Sequence, residues 1–478
     1  MKRAINQLNM SNMKITGKLL LIGRENMGKK MICFLLALLM SLLSGQAAAQ
    51  EWQVSPGDDL QQQLALSADG DVLLLAPGTY SGNFVIDRAI RLSGMEGAVI
   101  DAGGRGNAIT IKSSGITIEN LSIINWGGDL TAQNAGIYSD QATDKLTIKN
   151  NRLKGDGFGM WLQKSRYLSV LNNTVEGNPA IRSADRGNGI QLSSIKHAEV
   201  RGNTIFFTRD GLYIISSQDN LIKGNTMFDL RYGVHYMYSH SNKVIDNLAY
   251  RTRAGYALMS SRNLEVLGNT SRDSEDYGFL MNFITSSQIR NNIIEKVWTK
   301  PDNKVLGRDG KGLFVYNSAY NTISGNKIES AEIGIHLTAG SENTKVYGNS
   351  FIDNPTQVKY VSNKKQEWSL EGQGNFWSNY LGWDMDGDNI GDTVFEPNDG
   401  IDKLIWQYPE MKILMDSPAV LILRWVQRQF PVLKPPGIKD SFPLMLPPTP
   451  KSGSTLLTDS ATTSPQLTAA ASGNNVYE

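Results

Sequence analysis

His235 and Met237 stand two residues apart, and Met259 follows Met237 by one full period of a repeat that runs along the chain. Side chains alternate along a strand, so His235 and Met237 share one face of any strand that contains both. If successive repeats stack as parallel strands, Met259 lies against Met237 at about 4.8 Å, and His240 follows at the strand end. Thioether and imidazole ligands select Cu(I) over harder ions, so the group predicts a soft-metal site. The alternative is that a loop or partner protein covers the thioethers and that His235 fills surface. Met227 and Met281 are expected to pack in the interior. His336 falls in the same outward column as His235 but several repeats away, too far to share a site.

A second group is the acidic run Asp384, Asp386, Asp388 and Asp392 around Gly387 and Gly391. Carboxylates at alternate positions of a glycine-containing loop can wrap a hard cation such as calcium. The match to an EF-hand loop is partial, because Asn389 replaces the glycine of position six and no Glu stands at position twelve. A turn held by its own side chains is the other reading. A third group is the column Arg209, Arg231, Arg253 and then Asp276, each two residues before a repeated glycine. Like charges stacked about 5 Å apart repel, so an anionic group is expected against them. A partner protein could supply it, as could neighbouring acids such as Asp229. Asp210, beside Arg209 and Arg231, is the nearest approach to the acid and base pair of a uronate polymer lyase or epimerase. The outward columns are otherwise aromatic, amide and thioether, so an enzyme is the rival reading.

The elements that must carry these residues follow from the repeat. Asn recurs in a shared context at 151, 173, 203, 225, 247, 269, 292, 326, 349 and 375, with successive gaps of 22, 30, 22, 22, 22, 23, 34, 23 and 26. Gly211, Gly233, Gly255 and Gly278 run in phase, each 14 residues ahead of the next such Asn. A period of about 22 residues, rich in Gly, Asn and β-branched side chains, predicts an all-β, right-handed parallel β-helix with three short strands per coil. Asn suits the left-handed turns, and stacked Asn side chains can hydrogen-bond along a ladder. The long gaps mark insertions around 178–186 and 299–310, placed where a solenoid often does its work. Relative to each glycine, Leu212, Val234, Tyr256 and Phe279, then Ile214, Tyr236, Leu258 and Met281, are expected inside. Tyr213, His235, Ala257 and Leu280, then Ile215, Met237, Met259 and Asn282, are expected outside. Residues 60–80 read as a helix leading into a strand, suited to capping the open end.

Lys29 and Lys30 precede the apolar run 31–43 and the small residues Ala47 to Ala49, a pattern that predicts a secretory signal peptide over 27–49 within a leader of 1–49. The destination implied is the periplasm. The one cysteine, Cys33, lies inside the leader, so disulfides and cysteine-ligated metal are unavailable beyond it. A net charge of +1, evenly mixed, argues against a nucleic-acid partner. The β-helix is expected over 50–375, a C-terminal extension with the acidic loop and a short helix over 376–450, and a disordered tail over 451–478.

In the extension, Ser417 is a good N-cap ahead of Pro418, and 419–430 has a helical pattern. Arg424, Gln427 and Arg428 share one face, while Leu421, Ile422, Trp425 and Val426 dominate the rest. About a dozen residues, roughly 18 Å, cannot span a bilayer. Such a helix can lie at a membrane, dock into a membrane protein, or cap the last coil. The strings GNFWSNYLGWDMDGDNIGD at 374–392, EPNDG at 396–400 and SPAVLILRWVQRQFPVLKPPG at 417–437, then Asp440-Ser441, Pro443 and Met445, resemble the NosD family of periplasmic proteins that mature nitrous oxide reductase. The resemblance implies work with an ABC transporter, its ATPase and membrane permease, and with a copper chaperone lipoprotein. Together they would supply copper, as transient Cu(I), to the reductase. It also implies that the C-terminal helix, through Ser417, Leu421, Arg424, Trp425 and Arg428, docks on the permease, which gives the protein its membrane contact. A metal-free docking scaffold remains a further reading.

Overall fold

The computed structural model describes residues 49–453 apart from 306–307, 339, 363, 415–416 and 431–435. Residues 1–48, where the leader and signal peptide are expected and Cys33 falls, and the tail beyond 453 lie outside the described residues. From Glu51 the chain winds as a parallel β-helix. One face is a 13-stranded sheet that starts at Glu51–Val54, Val72–Leu75 and Arg91–Gly94 and ends at Lys345–Tyr347, every pairing parallel. The other two faces form one 23-stranded network. They are joined because strands β2 (Thr226–Met237) and β3 (Leu248–Met259) turn the corner without a break. Asp229 and Arg251, left-handed at φ 55° and 51°, make that bend. Ahead of them lies β1 (Asp210–Ile215), which pairs with β2.

The expected faces hold. Leu212, Val234, Tyr256, Phe279, Ile214, Tyr236, Leu258 and Met281 are all fully buried, as is Met227. Tyr256 and Phe279 stack at 4.3 Å across successive coils. The in-phase glycines are required by closeness rather than by a special backbone angle. A Cβ on Gly233 would stand 2.6 Å from the Gly255 carbonyl oxygen and 2.7 Å from the Ala249 Cβ.

All ten repeated Asn side chains are buried in one ladder. From Asn173 onward each Oδ1 accepts both the backbone N–H and the side-chain N–H of the Asn one coil earlier, as Asn247 does from Asn225 at 2.9 Å each, while Asn151 at the start of the ladder accepts from the Leu121 amide. The left-handed conformation belongs one residue earlier, to Asn150, Asn172, Gly202, Gly224, Asp246, Gly268, Asn291, Gly325 and Gly348. Turn and ladder are thus divided between neighbours, because an inward side chain needs ordinary strand backbone to reach its partner.

Both open ends are closed. At the start, α1 (Leu60–Leu66) is capped by Asp59 and buries Leu60 and Leu64. Gln61 exchanges hydrogen bonds with the main chain of Val85 at 2.8 and 3.1 Å, covering an edge that would otherwise invite pairing. At the far end Asp440, fully buried, accepts from the Asn375 amide and the Trp377 indole at 2.8 Å each, so a carboxylate terminates the ladder. The insertions at 177–189 and 298–310 both emerge at the corner between the second and third strands of a coil, as does a third at 125–134.

Two of the three arginines of the column, Arg231 and Arg253, are neutralised from within the chain, and Arg209 makes no ion pair among the described residues. Arg231 pairs with Asp210 at 2.6 Å, and Arg253 and Arg308 both pair with Asp276, at 2.7 and 2.9 Å. Asp229 serves Arg251 instead, at 2.7 Å.

Candidate functional site

The outer face of the third strand column carries the chemistry. In register across coils run Tyr213, His235, Ala257, Leu280, Phe314 and His336, and beside them Ile215, Met237, Met259 and Asn282. These side chains point outward yet are largely shielded: Ala257 is fully buried, Leu280 8% and His235 7% exposed. His336 is four coils from His235, and burial beside Lys359 and Lys311 drops its imidazole to about 3, so it stays neutral.

His235 is held by a carboxylate. Its Nδ1 lies 2.9 Å from Asp210 Oδ2, while the Arg231 guanidinium grips the same carboxylate with Nε on Oδ1 at 2.8 Å and Nη2 on Oδ2 at 2.6 Å. Burial pushes the Asp210 carboxyl up, but the hydrogen bonds from His235 and Arg231 bring it below the usual aspartate range. Tyr213 and Tyr232 stand edge-on to the imidazole at 4.7 and 5.1 Å. Arg231 lies over the Tyr232 ring at 4.4 Å. The remaining nitrogen, Nε2, is shut off from solvent and has no hydrogen-bond partner. A histidine oriented by a carboxylate through one nitrogen and free at the other is the usual state of a metal-ligating imidazole.

Met237 and Met259 are direct neighbours in the β2–β3 register and half-buried. The structure thus brings the two thioethers together and sets His235 two residues away on the same face. Tyr213 lies between: its ring meets the imidazole, and its hydroxyl donates to the Met237 sulfur at 3.3 Å. His240 does not join them. The chain turns at left-handed Tyr238, and His240 Nδ1 accepts the Arg262 amide at 3.3 Å, one coil on. Asp210, Arg231 and the two tyrosines were not assigned to this group from sequence. The signal available was the step from Asp210 to Arg231, 21 residues and so one short of the period.

The acidic loop brings Asp384, Asp386 and Asp388 together, with one carboxylate oxygen from each within 4.8 Å of the others. Asp392 is apart from them, accepting the Met385 amide at 2.8 Å. The loop also closes on itself: Asp384 accepts from Gly387 and Asn389 at 2.7 and 2.9 Å, and Asp388 accepts from Ile390 at 2.7 Å. The charge of Asp388 raises the Asp386 carboxyl.

In the extension α2 (Gly400–Gln407) and α3 (Pro418–Gln429) pack through Ile401, Ile405 and Val420. Ser417 caps α3 through the Val420 amide. Arg424, expected on a docking face, is instead an internal pin. It binds Asp399, the N-cap of α2, and Asp402 at 2.8 Å, because those carboxylates cluster at the positive end of α2 and face it. Gln427 accepts the Gly400 amide beside it. With that side occupied, Leu421, Ile422 and Trp425 are left 59%, 61% and 60% exposed. The side chain of Arg428 lies outside the described residues. No helix among the described residues is long and apolar enough to cross a membrane.

Comparison with known proteins bears on both regions. Residues 171–382 match the family described as periplasmic copper-binding protein (NosD), and residues 90–205 match a right-handed β-helix region. A Pseudomonas aeruginosa PAO1 protein named "Probable ABC transporter binding protein NosD" is 52% identical over 86% of this chain and 95% of its own length. A protein of the same name from Stutzerimonas stutzeri is 46% identical over 86% and 94%. Among solved structures, the family 28 exopolygalacturonase of Yersinia enterocolitica superposes with a TM-score of 0.52 at 10% identity, covering 66% of this chain and 78% of the enzyme. The Dettilon tailspike protein gives 0.51 at 13% identity, over 67% and 70%. At such identities the likeness is one of fold alone.

Proposed function

The chain belongs to the NosD family of periplasmic copper-binding proteins, and from that premise we propose that it is the periplasmic accessory protein of an ABC transporter. In this reading it takes part in copper delivery for the copper centres of nitrous oxide reductase, together with a permease, its ATPase and a copper chaperone lipoprotein. That the relatives are named ABC transporter binding proteins supports the transporter.

The observation that supports a particular copper contact is the buried, unpartnered Nε2 of an imidazole braced by Asp210, with Met237 and Met259 adjacent on the same face. The thioethers and the imidazole would hold Cu(I) once the Tyr213 hydroxyl leaves the Met237 sulfur. The reading is non-catalytic. Asp210, the one carboxylate among the described residues that line the cleft at this face, is committed to Arg231 and His235 and held ionised, so it has no proton to give as a general acid.

Titration with Cu(I) under reducing conditions tests the site. The parent is expected to retain copper against a competing chelator, and His235→Ala, Met237→Ala, Met259→Ala together to lose that retention. Asp210→Asn is expected to weaken it by about 10- to 100-fold, as loss of an outer-shell partner does. A triple variant that binds as the parent does removes the assignment and favours a metal-free scaffold.

The exposed row Leu421, Ile422 and Trp425 is the surface that would dock on the permease, with Arg424 setting the helix so that the row faces outward. Deleting 417–450 is a poor test, since it also removes Asp440 from the end of the ladder. Leu421→Glu with Trp425→Glu is expected to abolish co-purification with the permease while leaving the circular dichroism unchanged. Undiminished co-purification would place docking elsewhere.

A further inference from the structure

The same outer face holds a cleft of about 440 Å³ beyond the thioethers, walled by Trp161 and Gln191 and roofed by Leu130 and Arg186 from two of the corner insertions. That volume suits an organic molecule rather than a bare inorganic ion. Eleven buried side-chain polar atoms among the described residues have no hydrogen-bond partner, and four of them line this one cleft. They are Trp161 Nε1, Asn188 Oδ1, Arg209 Nε and His235 Nε2. Asn188 and His235 are 8% and 7% exposed. Buried polar groups in native structures are normally paired, so such a concentration calls for a ligand that pairs them.

The chemistry of the four atoms specifies the ligand. Trp161 and Arg209 donate. Asn188 Oδ1 accepts, and so does His235 Nε2 when the Nδ1 proton is given to Asp210. Charge is uneven: Asp210 is consumed by Arg231 and His235, while Arg186 makes its hydrogen bonds to the neutral carbonyls of Ile181, Phe207 and Pro179. Arg186 and Arg209 therefore leave a positive field in the cleft. Phe158 meets Trp161 edge-on at 4.5 Å, an apolar wall for the C–H face of a ring.

We propose that this cleft binds a hydroxylated carboxylic acid of the class of a hexuronate residue, its carboxylate on Arg209 and the Trp161 N–H, its hydroxyls on Asn188 Oδ1 and His235 Nε2. Small rotations of the wall side chains on entry bring the sealed atoms into reach. The cleft shares His235 Nε2 with the copper reading, a single lone pair that serves metal or hydroxyl but not both, so the titration is run on copper-free protein and its variants spare His235, Met237 and Met259.

Calorimetric titration of the chain beyond its leader, at low salt, uses sodium trigalacturonate as probe with galactose and sodium sulfate as comparisons. Trigalacturonate is expected to bind at least tenfold more tightly than either, and Arg209→Gln to weaken it about tenfold, as loss of a charge-assisted hydrogen bond does. Trp161→Phe deletes the N–H and keeps the aromatic wall, so it reads the hydrogen bond in a folded protein, with a similar loss expected. No binding of trigalacturonate, sulfate binding as tightly, or variants that bind as the parent does would each overturn the proposal.

Discussion

Arg231→Ala is expected to destabilise the β-helix by about 3–5 kcal/mol, the range for removing one partner of a buried ion pair. The cost arises because the Asp210 carboxylate is fully buried and would keep only His235. Asp210→Ala is expected to cost less, since the Arg231 side chain is 24% exposed and can turn toward water. Urea unfolding of the two variants checks the order, and an equal or reversed order would mean that the pair is not what holds this corner. The pH dependence has a definite sign. Asp210 is depressed in the folded state, so its contribution is complete above the unfolded value and is lost as pH falls through the folded one. Parent and Arg231→Ala should therefore differ most near neutrality and converge as pH falls below the ordinary aspartate value of about 3.9.

Asn247→Ala is expected to cost a comparable amount, roughly 3–5 kcal/mol, because each buried polar group left unpaired costs about 1–3 kcal/mol. The substitution strands the Asn225 amide, one Asn225 side-chain N–H and the Ile222 carbonyl at once. Asn247→Asp keeps the acceptor but sets a carboxylate against the Ile222 carbonyl and the Asn269 Oδ1, so it is not expected to rescue. A solenoid's stability is nearly a sum of coil and neighbour terms. Hydrogen exchange should accordingly accelerate first in the coils spanning 226–292. A loss under about 1 kcal/mol would mean that water replaces the ladder without penalty.

Much of this was legible along the chain, and the particular elements say why. The Asn ladder, the cramped glycines and the alternation that put Val234 and Tyr236 inside and His235 and Met237 outside repeat at one period, and stacking at constant register turns a sequence period into a spatial column. That same arithmetic paired Met237 with Met259. It could not pair His235 with Asp210, which sits off the period and reaches the imidazole by its side-chain direction. Nor could it place the Tyr213 ring between imidazole and thioether, or turn His240 onto the next coil through a left-handed Tyr238.

The extension shows the other limit. The helix over 418–429 and its Ser417 cap follow from local preferences, but Arg424 meets carboxylates 25 and 22 residues away, and Asp440 closes a ladder 65 residues behind it. Period and local propensity therefore determined the coils, their faces and the helix, because those depend on neighbours in sequence or one coil apart. The braced imidazole, the exposed apolar row and the cleft with its unpaired atoms depend on which distant side chains meet, and only the packed chain settles that.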